Sequence, residues 1–404
     1  MTDMTAGAAR PSAEATVFPV ILAVSLCHLI NDVMQSLLAS IYPLLKEDYA
    51  LDFWQIGLLT LTFQFTASLL QPAIGFYTDK RPMPHSLPYS SAATTCGLFL
   101  LAFSSTFSLL LAGAALIGIG SAIFHPEASR VARLASGGRY GLAQSLFQVG
   151  GNFGTAIGPL LAAFIVVPRG QASVAWFSVF ALVAMVILWQ VGNWYGRYQV
   201  ANAGRPAASR TLPLPRNRIV LALVVLALLV FSKNAYTASL SSYYTFFLIE
   251  KFSVDVQQSQ MMLFLFLGAM ALGTVLGGPI GDRIGSKNVI WFSILGVLPF
   301  TLALPYADLF WSGVLTFIIG VVLASAFPAI VVFAQELVPG RVGMIAGIFF
   351  GFAFGMGGIA AAVLGVLADA KGIEWVYAVC SYLPLIGLLT VFLPSTRELR
   401  AARA

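Results

Sequence analysis

Long apolar runs separated by short polar punctuation set the pattern of this chain. Twelve such runs can be marked, at 17–44, 54–78, 86–106, 108–130, 140–167, 173–195, 218–249, 257–281, 287–306, 310–336, 342–369 and 374–393. A helix that crosses a bilayer needs about 20 mostly apolar residues, and each run reaches roughly that length. The pattern predicts an all-α membrane protein of twelve transmembrane helices. The longest polar interruption, 196–217, holds Arg197, Arg205, Arg210 and Arg216 together with Pro206, Pro213 and Pro215. It divides the runs six and six. Residues 1–16 then form an N-terminal tail, 17–195 one six-helix bundle, 196–217 a linker, 218–394 a second bundle and 395–404 a C-terminal tail.

The two halves repeat a local grammar. The second run closes on Gly75-Phe76-Tyr77-Thr78-Asp79-Lys80-Arg81, and the eighth on Gly278-Pro279-Ile280-Gly281-Asp282-Arg283. Gly138-Arg139-Tyr140-Gly141 precedes the fifth run, and Gly340-Arg341-Val342-Gly343 the eleventh. Asp79 and Asp282 lie 203 residues apart, Arg139 and Arg341 202 apart. Two independent markers thus agree on a duplicated six-helix unit.

Composition supports the membrane reading. Of 404 residues 59% are hydrophobic and 9% charged, with mean hydropathy +0.88, whereas soluble domains carry about 25% charged residues. The net charge of +6 raises the question of nucleic acid, and its distribution answers it. With the N-terminus in the cytoplasm, Lys46, Arg169, Lys251 and Lys371 fall on the far side, Lys233 lies within a run, and every other Lys and Arg is cytoplasmic. The positive-inside rule therefore places both termini in the cytoplasm. No long basic run offers a nucleic-acid surface. The first apolar run is too long for a signal-peptide core and is expected to stay in the mature protein. Cys27, Cys96 and Cys380 are isolated, without metal or redox spacing. No Walker loop, nucleophile–base set or metal spacing appears, so no catalytic residue, cofactor or metal is expected, and transport would run on ion gradients. A non-transporting membrane sensor would need a signalling domain, for which neither tail has room.

Ionisable groups inside a span cost about 2.5–3.5 kcal/mol at its centre and therefore tend to face cavities. The first run carries His28, Asn31, Asp32 and Gln35. His28 and Asp32, four apart, share a helix face, which suits either a proton site or a fixed structural hydrogen bond. The seventh carries Lys233, Thr237, Ser241 and Tyr244 on one stripe. Lys233 is the only lysine deep in a run; it can anchor an anion or pair with an acid such as Asp32. In the fourth, Glu127 and Arg130 are placed for an ion-pair latch, while His125 and Glu127 can also serve as protonatable groups at the inner mouth. Glu336 allows the same two readings. Thr60, Gln64 and Gln71 in the second run, and Gln144, Gln148 and Asn152 in the fifth, can bond a polar substrate or a facing helix. The glycines of the fifth and eleventh runs permit close packing.

Twelve runs, a basic central linker and the repeated Gly-x-x-x-Asp-[Lys/Arg] element resemble the major facilitator superfamily. The first copy departs after Lys80, at Arg81-Pro82-Met83-Pro84. Gly154-Thr155-Ala156-Ile157-Gly158-Pro159 is similar to a motif of antiporters in that superfamily, whereas Ala114 stands where drug/proton antiporters commonly carry arginine. At finer grain, His28-Leu29-Ile30-Asn31-Asp32, the stretch from Phe124 to Arg133, the stretch from Gln144 to Gly154 and the stretch from Gln335 to Arg341 resemble the fosmidomycin-resistance efflux transporters of Gram-negative bacteria. The resemblance implies a two-bundle fold and drug/proton antiport at the bacterial inner membrane, with a small phosphonate antibiotic as substrate, protons as co-substrate and a monomer as the working form. It assigns gating to Asp79, Lys80, Asp282 and Arg283, to which the latch reading adds Arg130. With the polar residues above, it implies proton coupling at Asp32, His28, Glu127, His125 and Glu336. Substrate binding falls to Lys233, Asn31, Gln35, Gln64, Gln148, Asn152, Thr237, Ser241 and Tyr244. A proton-coupled importer of a small anionic metabolite is the alternative, separable by the direction of transport.

Overall fold

The computed structural model describes residues 15–51, 53–202, 212–395 and 398–399. Most of both expected tails and the middle of the linker lie outside the described residues. The helical segments, in order, are α1 (Phe18–Ser40), α2 (Phe53–Lys80), α3 (Ser86–Phe103), α4 (Phe107–Leu134), α5 (Tyr140–Arg169) and α6 (Gln171–Ala201). In the second half they are α7 (Arg216–Phe252), α8 (Val256–Ile284), α9 (Ser286–Tyr306), α10 (Leu309–Leu337), α11 (Val342–Lys371) and α12 (Ile373–Phe392). Among the described residues there is no strand. The first apolar run is longer than its helix, because α1 stops at Ser40 and the chain restarts as a short helix, Tyr42–Asp48.

Eleven of these helices are long and apolar enough to cross a membrane. The expected twelfth crossing rests on α2. Its 28 residues span about 42 Å at 1.5 Å per residue, which is sufficient length. Thr60, Thr62, Gln64, Thr66 and Gln71 lower its apolarity, and it is not among the eleven.

Glycines determine which helices approach most closely. A Cβ at Gly150 would sit 2.0 Å from the Ser25 carbonyl oxygen, at Gly154 2.2 Å from that of Leu29, and at Gly158 1.9 Å from Ser36 Oγ. The four-residue spacing gives α5 a smooth face against α1, the packing mode of small residues in membrane helices. Across the halves, α2 pairs with α11 and α5 with α8. A Cβ at Gly75 would meet the Gly343 carbonyl oxygen at 2.3 Å, and one at Gly278 would meet that of Gly141 at 2.2 Å. Farther along α11, Gly347 and Gly351 still lie against Gln71 and Ser68, but Gly355 and Gly357 have nothing within 4 Å. The seam between the halves is therefore closed at the end bearing Asp79 and Asp282, here called the motif end, and opens toward the other. At that end Gly138 and Gly340 precede α5 and α11 with φ of +86° and +77°, a turn that side-chain-bearing residues enter only under strain.

Candidate functional site

Three helices build a buried polar cluster inside the first half. From α1 come His28, Asn31, Asp32 and Gln35; from α4, Ser121 and His125; from α5, the Phe147 carbonyl and Gly151. His28 Nε2 lies 3.4 Å from Asp32 Oδ2, His125 Nε2 3.7 Å from Asp32 Oδ1, and the two Nε2 atoms 3.2 Å apart. His28 and His125 are fully buried and Asp32 nearly so. Asn31 and Gln35 each donate an amide N–H to Asp32 Oδ1 at 3.0 Å, and Ser121 Oγ donates to Gln35 Oε1 at 3.0 Å.

The far nitrogens of both imidazoles set the tautomers. His28 Nδ1 faces the Phe147 carbonyl oxygen at 2.8 Å and His125 Nδ1 that of Ser121 at 2.9 Å. A carbonyl can only accept, so each Nδ1 carries the hydrogen and donates it. In neutral rings both Nε2 atoms are then lone-pair acceptors, facing each other and an ionised carboxylate. Three acceptors have no hydrogen among them unless one group takes up a further proton. A proton at its centre would complete the arrangement. Gly151 makes it possible: a Cβ there would lie 2.5 Å from His28 Nε2 and 2.8 Å from Asp32 Oδ2. The three donor atoms, within 4.8 Å of one another, also have the spacing to hold a metal ion. That possibility was invisible as a sequence motif because the two histidines are 97 residues apart.

Glu127 is held in an ion pair with Arg130. Its Oε1 accepts from Arg130 Nη1 at 2.6 Å and its Oε2 from Ser86 Oγ at 3.3 Å. Arg130 also donates to Thr78 Oγ1 at 2.9 Å and to Asp79 Oδ1 at 2.5 Å. These are buried ion pairs, in which loss of one partner strands the other's charge. His125, two residues earlier in sequence, joins Asp32 instead. Glu336 is half-buried at the end of α10.

The two repeated markers meet across the halves. Asp79 accepts from the backbone N–H of Gly343 (3.0 Å) and Met344 (2.8 Å), at the start of α11. Asp282 accepts from Gly141 (2.8 Å) and Leu142 (2.9 Å), at the start of α5. Neither receiving helix has a side-chain cap of its own, so a carboxylate from the opposite half satisfies N–H groups that a helix start leaves open. The cations that follow the aspartates do not bind them. Lys80 is exposed with Nζ 4.0 Å from the centre of the Phe76 ring, and Arg283 is exposed. The partner of Asp79 is Arg130. Val332 stands 202 residues on from Arg130, so the Asp282 contact is made without such an arginine. The backbone donors had a signal in the sequence, the paired Gly-Arg-x-Gly stretches, whose meeting with the aspartates only the fold discloses.

Lys233 is buried on α7, its Nζ 5.5 Å from the Phe327 ring of α10. Among the described residues no carboxylate pairs with it, and Asp32 pairs with the histidines instead. Aromatic rings lie between the two groups: Phe327 stands 5.1 Å from Phe350, and Phe350 5.2 Å from His125, centre to centre. Thr237 is half-buried, its hydroxyl without a partner among the described residues, and Ser241 is exposed. Tyr244 is spent within the second half: its hydroxyl donates to the Ser312 carbonyl at 3.2 Å and accepts from Thr316 Oγ1 at 2.9 Å. Gln148 donates to Asn152 at 3.4 Å, and Asn152 to Thr274 Oγ1 of α8 at 3.0 Å, a bond between the halves. Gln64 is half-buried beside Gly358 on the opening part of the seam.

The Major Facilitator Superfamily profile matches residues 24–248 and 222–403. Over 394 residues, 97% of each chain, the sequence is 59% identical to the Fosmidomycin resistance protein of Escherichia coli (strain K12). It is 40% identical over 389 residues, 95% of each chain, to the uncharacterized MFS-type transporter YfnC of Bacillus subtilis (strain 168). Among solved structures, the human organic anion transporter MFSD10 superposes with a TM-score of 0.74 at 17% identity, covering 95% of this chain and 100% of that one. The transporter FucP in the outward conformation gives 0.72 at 17% identity, covering 94% and 100%. At such identities these likenesses speak for the fold alone.

Proposed function

From the premise that the chain belongs to the major facilitator superfamily, and is a secondary transporter and not an enzyme, we propose that it is a drug/proton antiporter. In this reading it resides in the bacterial inner membrane with twelve crossings and both termini in the cytoplasm, and exports fosmidomycin-like small phosphonates by alternating access. The observation that carries the coupling is the His28–Asp32–His125 cluster, whose acceptors call for one proton. The substrate class is carried by the likeness to the Fosmidomycin resistance protein and by a buried Lys233 that, among the described residues, no carboxylate neutralises.

The mechanism follows from these groups. A phosphonate arriving from the cytoplasm or inner leaflet is held by Lys233, with Thr237, Ser241 and the amides of Gln64 and Gln148 as hydrogen-bond partners. The aspartate contacts at the motif end keep the cytoplasmic side shut while the other side is open. A periplasmic proton enters the cluster, is shared by Asp32 and the two imidazoles, and favours release and reset. Asn31 and Gln35 hold the carboxylate in place, and the Phe327–Phe350 layer keeps the proton site apart from the anion site. An inside-negative potential assists: one charge across 100 mV is worth about 2.3 kcal/mol, so exchange of a dianion for one inward proton gains roughly 7 kcal/mol.

Proteoliposomes test this, with a chelator present so that no metal occupies the cluster. Fosmidomycin should drive counter-movement of protons, and Asp32→Asn should abolish the coupling while leaving drug binding. Undiminished proton movement in that variant removes Asp32 from the coupling role. Lys233→Ala should lose drug binding; wild-type affinity would remove it from the site. An efflux-deficient host expressing the chain should gain fosmidomycin resistance, whereas an importer would confer sensitivity or no change.

A further inference from the structure

At the motif end a groove of about 620 Å³ lies between the end of α2, the start of α7 and the start of α11. Its cations are Lys80, Arg216 and Arg341, all exposed. Two of them converge on one ring: Lys80 Nζ is 4.0 Å and the Arg341 guanidinium carbon 5.2 Å from the centre of Phe76. The groove has one carboxylate, Asp79, whose oxygens are already taken by Arg130, Gly343 and Met344. The cations therefore face the groove with positive charge to spare. Through Arg216 and Val220 it continues into a shallow apolar strip along α7, formed by Leu221 and Val224.

Charge and apolar surface together define the ligand. A small free anion would use the cations and leave the strip idle. A zwitterionic lipid would cover the strip and bring no net charge. We propose that the groove binds an anionic phospholipid, its phosphate among Lys80, Arg216 and Arg341 and an acyl chain along Val220, Leu221 and Val224. The lipid then touches three helices that belong to both halves, beside the Asp79 contact, and stabilises the closed motif end. This holds whatever the transported substrate is.

The test is native mass spectrometry of the purified full-length protein titrated with dioleoyl phosphatidylglycerol and, separately, dioleoyl phosphatidylethanolamine. Wild type should hold the glycerol lipid at least tenfold more tightly. One Lys or Arg near an anionic lipid is worth about fivefold, so Arg216→Gln with Arg341→Gln should weaken it roughly 30-fold and leave the ethanolamine lipid unchanged. Arg216→Gln alone, the milder variant should the pair fold poorly, should weaken it about fivefold. Arg197→Gln, an exposed cation near the end of α6 outside the groove, should change nothing. Equal retention of the two lipids overturns the proposal. So does an equal loss in Arg197→Gln, which would mean general attraction to charge. Displacement of the lipid by inorganic phosphate or glycerol phosphate at equimolar concentration would make the ligand a free phosphate and overturn it too.

Discussion

Asp79→Asn isolates what holds the motif end shut. The carboxylate accepts three hydrogen bonds, from Arg130, Gly343 and Met344, at 2.5, 3.0 and 2.8 Å. An asparagine keeps one acceptor oxygen and turns an amide N–H toward one of the three donors. That bond, from Met344, is lost, at about 2 kcal/mol for a charged acceptor, and the other two lose the carboxylate's charge, at about 1 kcal/mol each. The side chain is 6% exposed, so water screens little of this. The closed seam should weaken by about 4 kcal/mol, and amide exchange at Gly343 and Met344 should accelerate by roughly 800-fold. Asp282→Asn loses one bond and weakens one, about 3 kcal/mol, and should speed Gly141 and Leu142 by roughly 150-fold. Hydrogen–deuterium exchange with mass-spectrometric readout of peptides covering these positions measures both. Unchanged exchange at Gly343 and Met344 in Asp79→Asn would falsify the reasoning. A larger effect from Asp282→Asn would contradict the part assigned to Arg130.

Gly151→Ala places a methyl 2.5 Å from His28 Nε2; it should reduce proton-coupled exchange by tenfold or more while drug binding persists, as read by flux and binding on one preparation. Gly158→Ala, whose Cβ would sit 1.9 Å from Ser36 Oγ, should cost about 1–3 kcal/mol by overpacking, and adding Ser36→Ala should restore much of it in a thermal melt. Tyr244→Phe should cost about 1 kcal/mol and leave drug affinity intact, because the hydroxyl bonds only within the second half; a loss of affinity would return Tyr244 to the substrate site.

Most of the architecture was legible because it is written in apolar runs and in two markers repeated at nearly equal offsets. Asp32 and His28 were legible for a local reason: four residues apart on one helix, they must share a face. His125 was legible as a protonatable group but not as a partner of Asp32, since sequence proximity joins it to Glu127, whereas the turn of α4 sends Glu127 toward Arg130 and His125 toward α1. Lys233 stood out as a lone lysine in an apolar run. Its separation from Asp32 by Phe327 and Phe350 could not be read, because aromatic residues in membrane helices look alike whether they face lipid or a neighbouring ring. Tyr244 sits on the Lys233 stripe by helical spacing, yet its hydroxyl is captured by α10, a contact periodicity cannot foresee. Nor could spacing show that Asp79 and Asp282 would leave their neighbouring cations and cap helices of the opposite half.

That exchange has a consequence for how the molecule is assembled. Each half lends a carboxylate and receives one, at equivalent places and through the same pair of backbone donors. This is the rule of an isologous interface, where a single patch is complementary to its own copy, here joined within one polypeptide. Recognition between the halves therefore resides in the seam. A chain severed between 203 and 211 and expressed as two pieces should find its own register.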